Sequence, residues 1–369
     1  ILHAGRYAYS NQAVAPSPVK APISPFIPKE LTGDEVFKQI SDIVDTAERA
    51  QMAGYDGVEI MGSEGYLINQ FIVTHTNKRS DSWGGSYKNR IKFPIEIVKQ
   101  VRQRTGQNFI IMFRLSMIDL IPNGSTWDEV LLLAKEIESA GASMINTGIG
   151  WHEARIPTIA TSVPRRAFSW VTKKLMGQLK IPIITSNRIN TAETAEAVLA
   201  DGCADMVSMA RPFLADPNFM AKVYSNKTKT IVPCIACNQA CLDHTFSMKL
   251  TSCLVNPSAC NEKEFSYALV PKKPKRIAVV GSGPAGLAAS ITARNRGFDV
   301  SLFEIKDSIG GQLNLASKIP GKEEFIGLLE YYSNEVSRLG IELRLNYAVK
   351  IGELELFDEI IIATGVVPR

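Results

Sequence analysis

The sequence predicts an α/β protein in which an incomplete (β/α)8 TIM barrel is followed by a cysteine-rich linker and a partial Rossmann-like domain. Three observations lead to this prediction. Helical stretches alternate with short β-branched runs over the first half of the chain, which is typical of a parallel sheet covered by helices. Four of the six cysteines lie within twenty positions, and a GxGxxG motif follows an apolar run in the last third. We place the three parts at residues 1–227, 228–270 and 271–369.

Length and charge narrow the class of protein. The 369 residues are enough for roughly two domains of about 150 residues. The 41 basic and 37 acidic side chains nearly balance, so charge does not indicate nucleic acid or a membrane surface as a partner. No apolar run reaches the ~20 residues that span a bilayer, and no signal peptide is recognisable. We therefore predict a cytoplasmic location, while the choice between a monomer and a homo-oligomer stays open.

The start of the chain is unusual. It begins with Ile1-Leu2-His3 rather than with Met, and this apolar stretch is typical of the inside of a strand. We expect a fragment whose first part has been cut away, and we count residues 1–3 as a strand.

Five helical stretches each lead into a short apolar run. The predicted pairs of helix and strand are 34–53 with 57–61, 89–105 with 109–114, 126–140 with 144–148, 168–179 with 181–186, and 191–200 with 205–209. With residues 1–3 this gives six strands. A (β/α)8 barrel needs eight, so we expect two strands in the missing part; an open doubly wound sheet is the alternative.

Polar residues follow these strands, at the edge where barrel enzymes keep their active sites. They are Glu64, Tyr66, Asn69 and Gln70, then Arg114, then His152, Glu153 and Arg155, then Ser186, Asn187 and Arg188, and finally Arg211, which forms the last group with the small residue Ala210. Loops after the last two strands of a barrel commonly bind phosphate, so the last two groups fit a phosphorylated cofactor. Arg114 emerges from an apolar strand and is costly to bury without an anion, which favours contact with a flavin.

Several stretches carry a resemblance to a known family. Residues 60–71 (IMGSEGYLINQF), residues 77–86 with Asn89 and Arg90, and residues 208–217 (SMARPFLADP) resemble the old yellow enzyme family of FMN-containing barrels. The resemblance implies that Tyr66 is the proton donor. The chain departs from the family at Met61 and Glu64, where many members carry the pair that holds the carbonyl oxygen of small enones. We expect Arg6 to be structural and His75 to have no partner.

The cysteines Cys234, Cys237, Cys241 and Cys253 are spaced by three, four and twelve residues. Thiolates at these spacings can converge on one inorganic centre. An iron–sulfur cluster, a zinc ion and disulfides are the candidates, and a reducing compartment favours the first two.

The last hundred residues predict a dinucleotide site. An apolar strand at 276–280 precedes Gly281, Gly283, Ala285 and Gly286, and the next strand ends in Glu304, suited to a ribose. Gly311 and Gln312, with Thr364 and Gly365 near the C-terminus, resemble FAD-binding reductases with two dinucleotide sites. In those reductases a separate NAD(P)H domain follows, so we expect the chain to be truncated at this end too.

Together the three parts resemble the bacterial multi-cofactor 2,4-dienoyl-CoA reductases, and residues 149–158 (IGWHEARIPT) match closely. The resemblance implies that NADPH reduces FAD, that a 4Fe-4S cluster passes single electrons to FMN, and that an acyl-CoA substrate of fatty acid β-oxidation receives hydride. It assigns catalysis to Tyr66 and His152. It assigns substrate contacts to Glu64, Glu153, Arg155 and Ile156.

Two flavin sites flanking the cysteines favour a cluster over zinc, because a redox-silent ion would leave the electrons without a carrier. A trimethylamine dehydrogenase-type enzyme and an inactive cofactor-binding fragment are the alternatives. The former would typically surround a substrate cation with aromatic rings.

Overall fold

The computed structural model describes residues 1–265 and 273–366. The chain divides into two compact units. The first comprises Ile1–Ile159, Arg165–Ile189 and Glu193–Ser208, and the second comprises Ala160–Pro164, Asn190–Ala192 and the remainder from Met209 onward. The predicted boundary at 270/271, with Pro271 and Lys272 of the proposed linker, lies outside the described residues. The division into three segments stays a prediction.

Residues 1–208 alternate strands and helices. The strands are β1 (Val14–Ala15), β2 (Lys29–Glu30), β3 (Gly57–Gly62), β4 (Ile110–Ile118), β5 (Met144–Ile149), β6 (Ile183–Thr185) and β7 (Met206–Val207). The helices are α1 (Gly33–Met52), α2 (Leu67–Ile72), α3 (Tyr87–Arg90), α4 (Lys92–Thr105), α5 (Trp127–Ser139), α6 (Ser169–Leu175) and α7 (Ala192–Ala200).

Strands β3 to β7 form one parallel sheet in sequence order. A doubly wound sheet reverses its strand order at a switch point, whereas a barrel keeps winding in one direction. The unbroken order therefore agrees with the barrel and not with the open alternative. Strands β1 and β2 form a separate two-stranded parallel sheet.

The prediction of a strand at residues 1–3 is wrong. Ile1 does hydrogen bond along the edge of β3, since its carbonyl accepts from the Met61 N–H at 3.0 Å. Its amino group donates to the Glu59 carbonyl. His3 leaves this ladder, because its carbonyl accepts from the Leu67 N–H at the start of α2.

Two of the long helices begin at capping boxes. The Thr32 hydroxyl accepts from the Glu35 N–H while the Glu35 carboxylate accepts from the Thr32 N–H, and Thr126 and Glu129 repeat the arrangement before α5. The apolar faces of α1, α4 and α5 then bury residues such as Val36, Phe93 and Leu133 in one core with the strands.

Residues from 209 onward contain short helices, the cysteine segment and a second sheet. The elements are α8 (Arg211–Ala215), α9 (Phe219–Tyr224), a π-helical turn (Gln239–Asp243), α10 (His244–Phe246), β8 (Arg276–Val280), α11 (Pro284–Asn295), β9 (Asp299–Phe303), α12 (Leu313–Ala316), α13 (Glu324–Arg338), β10 (Glu342–Arg344), α14 (Ile351–Leu354) and β11 (Glu359–Ile362). Among the described helices, none combines the length and apolar character needed to cross a membrane.

The second sheet is parallel with the order β10-β9-β8-β11. Its direction of winding reverses between β8 and β11, and this switch point is where doubly wound folds bind nucleotides. Residues of α11 and α13 pack on the sheet to form a second core. Ile235 of the cysteine segment belongs to that core, so the segment is folded onto the nucleotide-binding fold.

Candidate functional site

The structure brings the two predicted catalytic residues together. Tyr66 directly precedes α2, after the end of β3, and His152 follows the end of β5. The Nε2 atom of His152 lies 2.8 Å from the Tyr66 hydroxyl, and the two rings meet edge to face. Strands β3 and β5 lie on either side of β4 in one parallel sheet, so both end at the same edge, and residues 86 positions apart can form this pair.

Local charge and burial set the protonation of this pair. Burial, and secondly the Glu64 carboxylate, raise the pKa of Tyr66, while Arg114 opposes them. Desolvation lowers the pKa of His152, although the residue as a whole keeps an exposed surface, and Glu64 works in the opposite direction. At neutral pH Tyr66 therefore keeps its proton and His152 is uncharged.

Glu64 and Arg114 pair with each other. The Glu64 carboxylate oxygen Oε1 accepts hydrogen bonds from Nε and Nη2 of Arg114, at 3.0 and 2.9 Å, and Oε2 accepts from the Ser63 hydroxyl. Glu64 therefore supplies the anion that a partly buried Arg114 requires, and a flavin is not needed for that purpose. It stays a prediction that Arg114 contacts a flavin and that Glu64 contacts the substrate.

A buried ionic cluster lies beside the catalytic pair. The Glu153 carboxylate accepts from Arg6 Nη2 at 2.5 Å and from the Tyr7 hydroxyl at 3.1 Å, and it lies 3.1 Å from His75 Nε2. Glu153 is thus occupied within the chain, and a substrate contact would have to displace one of these partners. The prediction that His75 lacks a partner is wrong.

Aromatic rings surround Arg6. Its guanidinium carbon lies 5.5 Å from the centroid of the Tyr7 ring and 5.6 Å from that of Trp151. Tyr7 in turn meets the rings of Tyr66 and His152 edge to face. Apart from the position of Arg6 in an apolar stretch, no feature of the sequence indicates this cluster.

The other predicted substrate residues, Arg155 and Ile156, are exposed. Ile156 leaves 54% of its surface accessible, which is high for an isoleucine. Both therefore remain accessible to a bound molecule, and their role stays a prediction.

The first predicted phosphate loop follows β6. The Ser186 hydroxyl oxygen lies 2.8 Å from both the Thr147 carbonyl and the Asn187 side-chain oxygen, and its one proton is shared between them, so Ser186 is held at the end of the sheet. Asn187 and Arg188 both have left-handed backbone, with φ of 69° and 56°, and Arg188 is buried. A buried guanidinium at a strand end suits the phosphate of a flavin nucleotide, so these residues fit FMN.

The four predicted metal ligands line one cavity. Cys234, Cys237, Cys241 and Cys253 surround it as free thiols, which contradicts the disulfide alternative. In the part of the chain that the structure describes, no three His, Cys, Asp or Glu side chains are placed to share a single metal ion. Four thiolates on one zinc ion would lie only about 3.8 Å apart. A 4Fe-4S cluster takes one thiolate on each of four irons, so its ligands need not meet at a single ion. A cluster at this cavity stays a prediction.

Hydrogen bonds from elsewhere in the second unit hold the cysteine segment. The Asn190 amide donates to the Cys234 carbonyl at 2.9 Å, and the Thr161 hydroxyl donates to the Ala236 carbonyl at 3.1 Å. Burial raises the pKa of Cys234, Cys237 and Cys253. A bound metal would therefore have to favour the thiolate forms.

Arg211, which we predict to bind flavin phosphate, also contacts the cysteine segment. Its Nη1 donates to the Asn238 side chain at 2.6 Å, and it lines the cysteine cavity. Ala210 is exposed just before α8, and its carbonyl accepts from the Phe213 N–H. A phosphate contact of these two residues stays a prediction.

The glycine motif of the second unit has the expected geometry. A Cβ at Gly286 would overlap the Gly281 carbonyl oxygen, and one at Gly281, where φ is +103°, would overlap the Ala363 carbonyl oxygen. Around a Cβ at Gly283, in contrast, there is open space. Gly281 and Gly286 are therefore required by the fold, and Gly283 leaves room for a ligand.

Glu304 is buried at the end of β9. Its Oε2 accepts from the N–H and hydroxyl of Ser282, and its Oε1 accepts from the Lys306 N–H. Burial raises the pKa of Glu304, but these hydrogen bonds outweigh it and lower the pKa overall. The carboxylate is therefore charged and fixed beside the glycine motif, and its contact with a ribose stays a prediction.

The remaining predicted FAD residues lie near the same motif. The Cβ position of Gly311 is 3.1 Å from Gly283 Cα, and the Gln312 amide donates to the Val366 carbonyl at 3.3 Å. Three further residues of the predicted FAD site are exposed, namely Ala285, Thr364 and Gly365. These groups leave the motif open to a dinucleotide.

Comparison with known proteins gives two family matches. Residues 1–230 match the NADH:flavin oxidoreductase / NADH oxidase family. Residues 279–325 match the NAD(P)-binding Rossmann-like domain. Both matches agree with the predicted fold class.

Individual relatives include reductases and a dehydrogenase. A metal reductase of Desulforamulus reducens is 40% identical over 100% of this chain and 56% of its own length. An N,N-dimethylglycine/sarcosine dehydrogenase of Chromohalobacter salexigens is 31% identical over 95% of this chain and 52% of its own. A cinnamate reductase of Clostridium sporogenes is 31% identical over 97% of this chain and 56% of its own length. The chain thus spans about half the length of the curated relatives it matches.

Among solved structures, a 2-naphthoyl-CoA reductase in complex with 2-naphthoyl-CoA superposes with a TM-score of 0.95 at 34% identity. The match covers 100% of this chain and 59% of that one.

Proposed function

Because the chain belongs to the NADH:flavin oxidoreductase / NADH oxidase family, we propose that it reduces a conjugated double bond in an acyl-CoA thioester, with 2,4-dienoyl-CoA as the substrate. We further propose NADPH as the electron donor, with FAD, a 4Fe-4S cluster and FMN as the carriers. The observation that carries the proposal is the hydrogen bond of 2.8 Å between Tyr66 and His152. A cytoplasmic place in fatty acid β-oxidation is part of the same proposal.

Tyr66 acts as the proton donor in this proposal. Reduced FMN, when bound, supplies hydride to the far end of the conjugated system. Negative charge then develops on the thioester side, and a donor within hydrogen-bond reach lowers the barrier. Since the pKa of Tyr66 is raised, its hydroxyl keeps the proton until this charge develops.

His152 orients the Tyr66 hydroxyl and shares its proton. Because the pKa of His152 is lowered, the ring is neutral at pH 7 and can either accept or donate at Nε2. A neutral ring also avoids placing a second cation beside Arg114. When Tyr66 gives its proton to the substrate, the negative charge stays on its phenolate oxygen, which would accept a hydrogen bond from Nε2–H of the neutral His152 ring until water returns a proton to Tyr66.

The acyl-CoA part of the proposal is supported by two findings. A 2-naphthoyl-CoA reductase shares the fold over the whole chain at 34% identity. Met61 and Glu64 replace the residues that hold small enones in many relatives, so a different means of holding the carbonyl is needed. We propose that Arg155 and Ile156, both exposed, contact the acyl-CoA.

The cysteine cavity supports a cluster between the two flavins. Four free thiols line it, and the described residues offer no compact three-ligand site for a single ion. A 4Fe-4S cluster passes electrons singly, whereas each flavin exchanges pairs with its substrate. We propose FAD at the glycine motif, with Gly283 at the pyrophosphate and Glu304 at the ribose.

An amine dehydrogenase is the second candidate, and the aromatic cluster at Tyr7, Tyr66 and Trp151 favours it. A substrate cation would bind to the faces of such rings. Arg6, however, already lies over Tyr7 and Trp151. The cluster is thus filled by a cation of the chain itself, and we favour the reductase.

The test is anaerobic turnover by the full-length protein with NADPH and 2,4-dienoyl-CoA, compared with trimethylamine and an electron acceptor. We expect NADPH oxidation that depends on the dienoyl-CoA. Turnover of the amine alone would overturn the proposal. An absorbance spectrum of the isolated chain with neither flavin nor cluster would support the view that this chain is an inactive fragment.

A further inference from the structure

The cysteine cavity has a cationic wall. Besides the four cysteines, its lining consists of Arg211 and neutral residues: Leu214, Ile235, Asn238, Ala240, Leu254 and Val255. The guanidinium is only partly exposed. A single positive charge next to an apolar cavity is weakly screened, so it acts strongly on any charge that the cavity holds.

Asn238 fixes the position of this cation. It lies between Cys237 and Cys241 and has a left-handed backbone with φ of 62°, a conformation that asparagine tolerates better than most residues. Its Oδ1 accepts from Arg211 Nη1 at 2.6 Å. The loop that carries two cysteines therefore also carries the group that holds Arg211 against them.

We propose that Arg211, held by Asn238, raises the reduction potential of the centre bound by the four cysteines. The inference rests on the proposed function, because it needs a cluster at this site. Each reduction adds one negative charge to a cluster, and a nearby cation stabilises the reduced form. Asn238 acts as a positioning residue, and Arg211 supplies the charge.

The experiment is an anaerobic redox titration of the full-length protein, followed by the EPR signal of the reduced cluster. Arg211→Gln removes the charge, and Arg211→Lys keeps a charge but loses the planar guanidinium. In Arg211→Gln we expect the ratio of reduced to oxidised cluster at a fixed potential to fall about tenfold, which is about 59 mV for one electron. Arg211→Lys should retain most of the wild-type potential.

Asn238→Gly is the second variant. Glycine adopts the left-handed backbone freely, so the loop keeps its course while Arg211 loses its acceptor. We expect a shift in the same direction as in Arg211→Gln, but smaller. Lys275→Gln is the control, because it removes one charge from an exposed ion pair with Glu359 in the same unit; its potential should be unchanged.

Iron and flavin contents are measured in every variant. A wild-type protein without iron would overturn the cluster and this inference together. Intact iron with an unchanged potential in Arg211→Gln and Asn238→Gly would overturn this inference alone. If Arg211→Gln loses its cluster or flavin, the potential of Asn238→Gly decides the outcome.

Discussion

Arg6 and Glu153 form an ion pair with an Nη2–Oε2 distance of 2.5 Å, and their side chains are only 1% and 6% exposed. The pair joins residues 147 positions apart and lies behind the ring of Tyr7. Its charges are removed from water, so each side chain depends on the other. The pair therefore fixes the turn that carries His152, the residue next to Glu153.

Breaking this pair should destabilise the first unit. Glu153→Gln leaves a buried Arg6 without its counter-charge, and we expect a loss of about 3–5 kcal/mol of unfolding free energy. Urea unfolding of the full-length protein measures it. The double variant Arg6→Met/Glu153→Leu should lose less, and Lys38→Gln, which removes an exposed helix pair, should cost at most about 0.5 kcal/mol. An equal loss in Lys38→Gln would contradict this account.

Tyr66→Phe should reduce kcat for dienoyl-CoA by about 10²–10⁴-fold, because it removes the proposed proton donor and keeps the ring. Stopped-flow absorbance separates this step from flavin reduction, which should proceed at the wild-type rate. Tyr55→Phe serves as the matched control, since Tyr55 is 68% exposed. A kcat near that of wild type in Tyr66→Phe would remove Tyr66 from the mechanism.

The pH dependence should follow His152. Its pKa lies below the ordinary value of 6.5, so kcat should stay level down to that pH and fall as the ring takes up a proton below it. Glu64→Gln removes a charge that raises this pKa, so the acid limb should move to lower pH. The unfolded chain binds this proton more readily than the folded chain, so protonation also lowers stability as the pH falls below 6.5. An acid limb that does not move in Glu64→Gln would show that another group titrates.

Cys237→Ala should interrupt electron transfer between the flavins. In the full-length protein we expect FAD to be reduced by NADPH nearly as in wild type, while reduction of FMN stops. Rapid-scan absorbance should show only one of the two flavins bleached, whereas wild type bleaches both, and Cys203→Ala, at a buried cysteine outside the cavity, is the control. Unimpaired dienoyl-CoA reduction in Cys237→Ala would contradict the proposed path.

Two glycine variants separate folding from dinucleotide binding. Gly286→Ala places a methyl group against the Gly281 carbonyl and should destabilise the second unit. Gly283→Ala meets open space, so the fold should survive while FAD content falls. Thermal unfolding and bound-flavin content measure the two effects. Full FAD content in Gly283→Ala would place the pyrophosphate elsewhere.

Much of the fold could be predicted because periodicity reports local structure. Helix α1 was predicted at 34–53 and is found at Gly33–Met52, since its amphipathic repeat and the cap at Thr32 are both visible in the sequence. Strand β7 was predicted over five residues and spans only Met206–Val207. The length of a strand depends on how long its neighbour stays in hydrogen-bonding range, and the sequence of one strand does not contain that information.

In the candidate site, too, some features could be predicted from the sequence and others could not. Parallel strands deliver their following residues to one edge, so the meeting of Tyr66 with His152 could be anticipated. The sequence did not reveal which side chains pair with each other at that edge. Glu64 and Arg114 were both placed there but were assigned to substrate and flavin, whereas they bind each other. Such pairing depends on side-chain reach and rotamers, which distant positions in a sequence do not encode.

The strand order of the second sheet has a consequence for synthesis of the protein. Strand β11 pairs with β8, joining Glu359 to Ile277 across a long stretch of intervening chain. A ribosome needs roughly 4–16 s to make about 80 residues. During that interval one edge of β8 has no partner strand, and exposed strand edges pair readily with other chains. We therefore expect the open edge of β8 to favour aggregation of the nascent protein until β11 has been made.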